Sequence, residues 1–456
     1  MAAEGVKPDY EAARQRLLQM QQRQSPDPSL PPLPSAPTSV EATGLSLQFL
    51  ADLIAKTLRA QGQLRGIDIS TALRLPYPQV LDQAMRLLRD ESLVEIRRGD
   101  DYQELNWDFA LTAKGQRRAE EIMGREGYLG PAPVPLSTYN EAVRNQPAQW
   151  SNITADSLRT AFNDIIVNEH TLSQLGPAFN SGKSMFLYGH AGNGKTSVSE
   201  RMAKVLMGGY LLPFAIEAYG QVVRFFDSAM HRVLHDPMGV TDAVKASDST
   251  QHFDNRWLIV RRPFIVVGGE LKLEHLNLKY DPLLRYYIAP VQWKANGGIL
   301  LIDDFGRQEV APKDLLNRWI VPLDRNVDFH TLITGQQLEV PFFVLIIFST
   351  NLDPRDLVDE AFLRRLRYKI EIPDPTEEEF REIFRRCCAG MKIPFDPEVL
   401  NHLVEEHYRL ANRGFRAVHP RDLMQQALDL AGFRGLERKL TPELIDAAIH
   451  TYFVEL

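Results

Sequence analysis

Apolar residues take up helical spacing once the chain leaves its first forty positions. Leu47, Leu50, Ile54 and Leu58 line one face of a helix, Ile67 to Leu73 form a short second one, and Val80, Ala84, Leu87 and Leu88 turn a third inward. The rhythm then changes: Leu93-Val94-Glu95-Ile96 and Trp107 to Leu111 read as strands around a turn at Arg97-Arg98-Gly99-Asp100-Asp101, and Thr112 to Met123 closes the segment as a helix. Before this block, residues 1–40 hold a short possible helix, Tyr10 to Gln22, and then the proline-rich runs Ser25-Pro26-Asp27-Pro28 and Pro31-Pro32-Leu33-Pro34. Such a composition cannot bury a core, so a mobile tail is expected, either a spacer or a Pro-x-x-Pro ligand for a partner. Gly130 to Pro135 reads as a stiff extended linker within 126–154.

Beyond the linker a helical lead-in, Ser157 to Val167, precedes a short apolar strand, Ser184 to Tyr188, and a helix, Ser197 to Met207. Gly298 to Ile302 is a fully apolar strand, as expected of a central parallel strand, and Phe342 to Phe348 is another. Ile370 to Ile372 is the last. After Pro375 the pattern is helical throughout: Thr376 to Met391, Pro397 to Ala411, Arg421 to Leu430 and Thr441 to Phe453.

Three helices and a two-stranded wing over residues 41–125 resemble a winged helix, a fold that often reads DNA with its third helix. Here that helix exposes Gln79, Asp82, Gln83, Arg86, Arg89 and Asp90, and the segment carries 12 Lys and Arg against 13 Asp and Glu. Without a basic footprint the phosphate attraction that dominates DNA affinity is weak, which favours protein docking over nucleic acid. The whole chain agrees. At 456 residues and net charge −7 it is long enough for two or three domains and has no global attraction to polyanions. The N-terminus lacks an apolar leader and the longest apolar run is far short of a span, so a cytoplasmic protein without membrane contact is expected. Cys387 and Cys388 are adjacent, a spacing that suits neither a disulfide framework nor a metal site.

The chemistry begins at Gly189-His190-Ala191-Gly192-Asn193-Gly194-Lys195-Thr196, which fits G-x-x-x-x-G-K-[ST]. Glycines let backbone N–H groups close around phosphate oxygens, Lys195 sets a positive charge at the β- and γ-phosphates, and Thr196 offers a hydroxyl to Mg²⁺. The helix from Ser197 turns its N-terminal dipole toward the same anions. ATP or GTP binding follows, with Gly189, Gly192, Asn193, Gly194, Lys195, Thr196 and Ser197 as the binding residues. Asp303 and Asp304 end the strand from Gly298. Asp303 suits a Mg²⁺ water shell, and Asp304 can orient or deprotonate an attacking water. Asn351, at the end of the strand from Phe342, can hold that water or the γ-phosphate. Arg364 and Arg365, in a basic run before the last strand, suit either charge stabilisation or surface ion pairs. Arg421 sits in the first turn of a helix, against the dipole preference for anions, which a phosphate or a carboxylate such as Asp422 or Glu405 would explain.

Taken in this order, the residues resemble an AAA+ ATPase: Walker A at 189–196, Walker B at 299–304, sensor 1 at Asn351, an arginine-finger segment at 364–365 and sensor 2 at Arg421. The resemblance implies an α/β fold, a P-loop doubly wound parallel sheet at 155–375 with a helical lid at 376–456, ATP hydrolysis with Mg²⁺, and a homo-oligomeric ring such as a hexamer. One departure is Asp304, where most members carry Glu. Val327 to Val340, around a Thr334-Gly335 turn, and Phe264 to Leu273 read as hairpins. They look like the pre-sensor-1 hairpin and helix-2 insert of the MoxR-like, magnesium-chelatase and NtrC-like branch, or they are extensions of the sheet. Two functions stay in view: a remodelling motor acting on an unknown protein client, and a DNA-associated motor or loader.

Overall fold

Two compact units arise from a chain that passes between them more than once. One takes the chain up to Gln146 with residues 207–222 and 231–262, and the other takes 147–206, 223–230 and everything from 263. The computed structural model describes residues 30–99, 103–146, 153–206, 208–238, 253–357 and 363–453. The helix expected at Tyr10 to Gln22 lies outside them.

In the first unit α1 (Leu47–Gln61), α2 (Gly66–Leu73), α3 (Asp82–Asp90) and α4 (Ala113–Met123) accompany an antiparallel sheet whose order is β1 (Leu64–Arg65, between α1 and α2), β3 (Asp108–Leu111) and β2 (Val94–Arg98). Ser46 caps α1 by accepting from the Phe49 N–H at 3.1 Å. Leu50, Ile54, Leu58, Ile69, Leu73, Val80, Ala84, Leu88 and Phe109 are buried, as the periodicity predicts. Two expectations change. Residues 30–40 do not hang free: the Asp254 N–H donates to Pro34 O at 2.8 Å and Ser35 bridges Phe253. The segment expected as a linker is packed as well, with Ala132 and Val134 buried, Val134–Pro135 running parallel to Ala215–Ala218, and α5 (Leu136–Asn145) following. Buried Arg256 explains the closure. It pairs with Asp254 and donates to Thr43 O at 3.1 Å and Pro133 O at 3.2 Å, so one guanidinium ties three distant stretches.

The second unit is built on a five-stranded parallel sheet. Helices α6 (Ala155–Ala161) and α7 (Glu169–Asn180) lead into β4 (Met185–Tyr188) and α8 (Lys195–Val205). Next come β5 (Phe264–Val267), β6 (Ile299–Ile302), α9 (Pro312–Arg325), the hairpin β7 (Val327–Thr331) and β8 (Gln337–Pro341), then β9 (Leu345–Thr350) and β10 (Tyr368–Glu371). The order across the sheet is β5-β6-β9-β4-β10, every neighbouring pair parallel. Alternate residues of each strand face opposite layers. Met185, Leu187, Leu301 and Ile347 pack on α6, α7 and α8 through Leu158, Phe179 and Met202, whereas Phe186, Ile302 and Phe348 pack on α9 through Leu315 and Trp319. Both faces of the three inner strands β6, β9 and β4 are covered, which is why they read as largely continuous apolar runs, whereas the edge strand β10 alternates and exposes Lys369 and Glu371. This is the doubly wound P-loop α/β fold.

Phe264 to Leu273 corrects one expectation. Its first four residues are the edge strand β5 and not a hairpin arm, since their β-branched run pairs with β6 along its full length. The antiparallel pair lies later, Lys279–Asp281 against Tyr286–Ile288. The Val327 to Val340 hairpin forms as expected, with Gly335 at φ +87° in its turn. Its base is fixed by buried Asp328, which accepts from Arg318 of α9 at 2.7 and 3.1 Å.

Four helices complete the unit: α10 (Glu377–Met391), α11 (Pro397–Val404), α12 (His419–Phe433) and α13 (Pro442–Tyr452). Thr376 and Glu379 form a capping box at the start of α10. Phe380, Phe384, Leu403, Tyr408, Met424 and Ile445 fill the shared core. Cys388 is buried there, and burial pushes its thiol up to about 11, in keeping with a packing role. Among the described residues no helix is long and apolar enough to cross a membrane.

Candidate functional site

The strand order decides which loops meet at the carboxyl edge of the parallel sheet. The loop after β4 has β9 on one side and β10 on the other, and β6 lies one strand beyond β9. Asn351, following β9, therefore stands between the Gly189–Thr196 loop and the Asp303-Asp304 pair following β6. The side chains make that link. Lys195 Nζ donates to Asn351 Oδ1, and Asn351 Nδ2 donates to Asp304 Oδ1 at 3.2 Å. Beside this bridge Thr196 Oγ1 donates to Asp303 Oδ2 at 2.7 Å.

Loop geometry depends on two glycines. At Gly189, φ is +140° and a Cβ would lie 2.3 Å from Ile372 O; at Gly192, φ is +83° and a Cβ would lie 2.5 Å from Val418 Cγ1. Within the loop Lys195 is buried, and its ammonium also donates to Gly189 O at 2.9 Å and His190 O at 3.0 Å. Burial lowers its pKa below the usual range, with the charges of Asp303 and Asp304 opposing. Asp304 adopts φ +49°, a left-handed conformation uncommon for a residue with a side chain. Strain of this kind collects where a side chain is aimed by its surroundings.

The other flank of the loop was not foreseen from the sequence. Asp374, three residues past the last parallel pair, accepts from Asn193 Nδ2 at 2.7 Å, meets His190 Nδ1 at 3.0 Å and pairs with Arg416. Burial works to raise the Asp374 pKa, but the hydrogen bonds from Asn193 and His190 and the charge of Arg416 outweigh it and hold it below the carboxylate range. The Val418 N–H donates to Gly192 O at 2.9 Å, so the start of α12 is joined to the loop through main chain as well. One signal was available in the sequence: Pro373-Asp374-Pro375 sets a carboxylate at the end of a parallel strand, the edge where open α/β sheets bind ligands.

Arg421 takes a different place from the one expected of a phosphate-facing residue. It is exposed and bonds to Asp422 at 3.1 Å, and the arginine tied to the loop network is Arg416. Arg364 and Arg365 are exposed just before β10, and Arg365 Nε donates to Asp324 of α9 at 3.2 Å.

What this arrangement can do follows from its donors. The loop amides, the α8 N-terminus and Lys195 suit a polyphosphate. Thr196 and Asp303 supply two hard oxygens that suit Mg²⁺. Orphaned polar groups agree: Asn193 Oδ1 is buried and unpartnered among the described residues, within the cradle that Gly189 and Gly192 keep open.

Residues 376–451 match a family described as a domain of unknown function, DUF8689, which covers the lid and a minor part of the chain. No curated protein matches the sequence. Solved structures similar to the chain include NtrX from Brucella abortus in complex with ATP, 16% identical over 65% of this chain and 60% of that one, with a TM-score of 0.38. The Thermotoga maritima RuvB Holliday junction branch migration motor is 14% identical over 63% of this chain and 70% of that one, with a TM-score of 0.36. The chain thus spans about three-fifths of the NtrX chain. The P-loop α/β assignment stands on the strand order and the loop geometry.

Proposed function

We propose that this protein is a Mg²⁺-dependent ATP hydrolase of the AAA+ type. The observation that carries the reading is Asn351, whose amide joins the P-loop lysine to the second Walker B carboxylate. In this reading Gly189, Gly192, Asn193, Gly194, Lys195 and Ser197 hold the phosphates, and Thr196 with Asp303 would hold Mg²⁺, whose charge would offset that of the phosphates. Asp304 takes the proton of the attacking water, and Asn351 fixes that water relative to the phosphate. The shorter Asp, in place of the usual Glu, sits on a left-handed backbone and accepts from Asn351.

The working form is a homo-oligomeric ring, such as a hexamer. Arg364 and Arg365 serve the neighbouring subunit's γ-phosphate, and the lid reports nucleotide state through Arg416, the lid arginine bound to the loop network. The β7–β8 hairpin supports placement in the pre-sensor-1 hairpin branch, and its exposed Ile333 is suited to a protein client. The first unit acts as a winged-helix module that docks on protein. Arg86 pairs with Asp82 and Arg89 with Glu104, so the third-helix arginines are already neutralised, which favours a protein client over nucleic acid. A cytoplasmic location fits this role.

The test is ATP turnover and nucleotide binding by the full chain and by Lys195→Ala. The parent binds Mg-ATP and hydrolyses it, and the variant folds but does neither. A variant that hydrolyses ATP at the parent rate overturns the assignment.

A further inference from the structure

Away from the Gly189–Thr196 loop, the lid brings two histidines of one segment against a carboxylate from a later helix. We propose that His402, His407 and Asp446 form a site for a divalent transition-metal ion of the zinc class, which fastens α13 to the end of α11. His402 belongs to α11, His407 to the following wide turn Glu405–Arg409, and Asp446 to α13. Both imidazoles aim Nε2 at the same carboxylate oxygen, His402 at 2.7 Å and His407 at 2.6 Å from Asp446 Oδ1. All three donor atoms lie within 4.8 Å of one another, and the two rings stand nearly perpendicular at 82°.

The backbone explains the convergence. In an α-helix of 3.6 residues per turn, two residues five apart point about 140° away from each other. The Leu410 N–H instead bonds to Glu405 O at 3.0 Å, an i to i+5 bond that widens the turn and carries His407 round to the side of His402. Such single-turn widenings are rare and are frequent at functional sites.

Donor chemistry selects the ion. Two imidazole nitrogens and one carboxylate oxygen suit zinc, which binds them at about 2.0–2.2 Å and leaves tetrahedral donors about 3.3 Å apart. The present 2.6–2.7 Å separations are those of hydrogen bonds, so loading requires the donors to part by about 0.6–0.7 Å and each Nε2 to present its lone pair. Water or the exposed Glu443, one turn before Asp446 on α13, completes the set. Hard oxygen-seeking ions such as Mg²⁺ are disfavoured by the two nitrogens. The site shares no residue with the phosphate loop, so it stands apart from the nucleotide reading.

The experiment uses the full chain, stripped with a chelator and dialysed, then equilibrated with Zn²⁺ or Co²⁺. The expected result is about one tightly bound Zn²⁺ per chain, a higher melting temperature with Zn²⁺, and a visible Co²⁺ absorption band of a four- or five-coordinate ion. His402→Gln and His407→Gln should each weaken Zn²⁺ binding at least about 10-fold and abolish the melting shift, while Lys195→Ala keeps both. If either variant does not fold, the Co²⁺-loaded parent decides: paramagnetically shifted NMR signals from two imidazoles are expected. Absence of a stoichiometric ion, unchanged binding in folded variants, or a Co²⁺ spectrum with fewer than two imidazoles overturns the site and leaves a hydrogen-bonded cluster only.

Discussion

Asn193 donates a hydrogen bond to Asp374 over 2.7 Å, joining the middle of the phosphate loop to the end of the last parallel strand. The same carboxylate pairs with Arg416 just ahead of α12, so the loop and the lid share one anionic anchor. A lid tied this closely to the loop cannot reorient without disturbing Gly192 and Asn193.

Asp374→Ala is therefore expected to loosen the lid as well as the loop. Losing a charged hydrogen-bond acceptor with three partners costs about 1–3 kcal/mol, and nucleotide affinity should fall with it. The pH dependence checks the cause. The Asp374 pKa is lowered in the folded state, so its contribution is complete above the ordinary aspartate range and is lost as pH falls through the lower, folded-state value. Denaturant midpoints of parent and variant should differ at neutral pH and converge in acid. A gap that stays constant down to acid pH would remove Asp374 from the account.

Asp304→Asn should bind ATP and fail to hydrolyse it, with a loss of about 10²–10⁴ in rate, because an amide cannot accept the water's proton. Asparagine tolerates the left-handed backbone of this position, so the variant should melt like the parent. Asp304→Glu restores the usual length and is expected to hydrolyse ATP at the parent rate or faster. Parent-like rates in both variants would place the base elsewhere.

His419 is buried in the lid, where its Nδ1 meets the Tyr408 hydroxyl at 2.8 Å. Burial first, then the charges of Arg416 and Arg413, lower its pKa to about 4. Between the ordinary histidine value and that one, the unfolded chain binds a proton that the folded chain does not, so stability falls as pH drops across this window. The loss approaches about 3 kcal/mol near pH 4. His419→Asn keeps an acceptor for Tyr408 and removes the titration, so its urea-unfolding free energy should vary less from pH 6.5 to 4 than the parent's does. Equal slopes for the two proteins would contradict this.

Hydrolysis is expected to be shared between subunits, since an arginine supplied in trans is worth about 10³–10⁵ in rate. Specific activity should rise steeply with protein concentration as rings assemble. Arg364→Ala with Arg365→Ala should bind ATP and turn it over slowly, and mixing with Lys195→Ala subunits should restore part of the activity. Arg364 is the first choice for the finger. A rate per subunit that ignores concentration, with no rescue on mixing, would reduce both arginines to surface ion pairs.

Much of this protein was legible in one dimension because its strongest signals are local. The loop from Gly189 to Thr196 requires glycines at fixed offsets, and the strand segments Ile299–Ile302 and Leu345–Phe348 had to be apolar because both faces are covered. Helix periodicity likewise gave the first unit's core, from Leu50 to Leu88. Tertiary structure decided the rest. Phe264 to Val267 reads equally well as a hairpin arm or a sheet strand, and only its parallel register with Ile299 to Ile302 chooses between them. Proline-rich residues 30–40 and 126–135 look like spacers until Arg256, more than a hundred positions away, supplies bonds to the neighbouring backbone at Thr43 and Pro133. Arg421 carried the motif, yet the lid residue bound to the loop network is Arg416, because the path of the chain into α12 sets which guanidinium reaches Asp374. Sequence spacing specifies what a short segment can become, whereas pairing across distant segments follows from which surfaces the folded chain brings within a few ångströms.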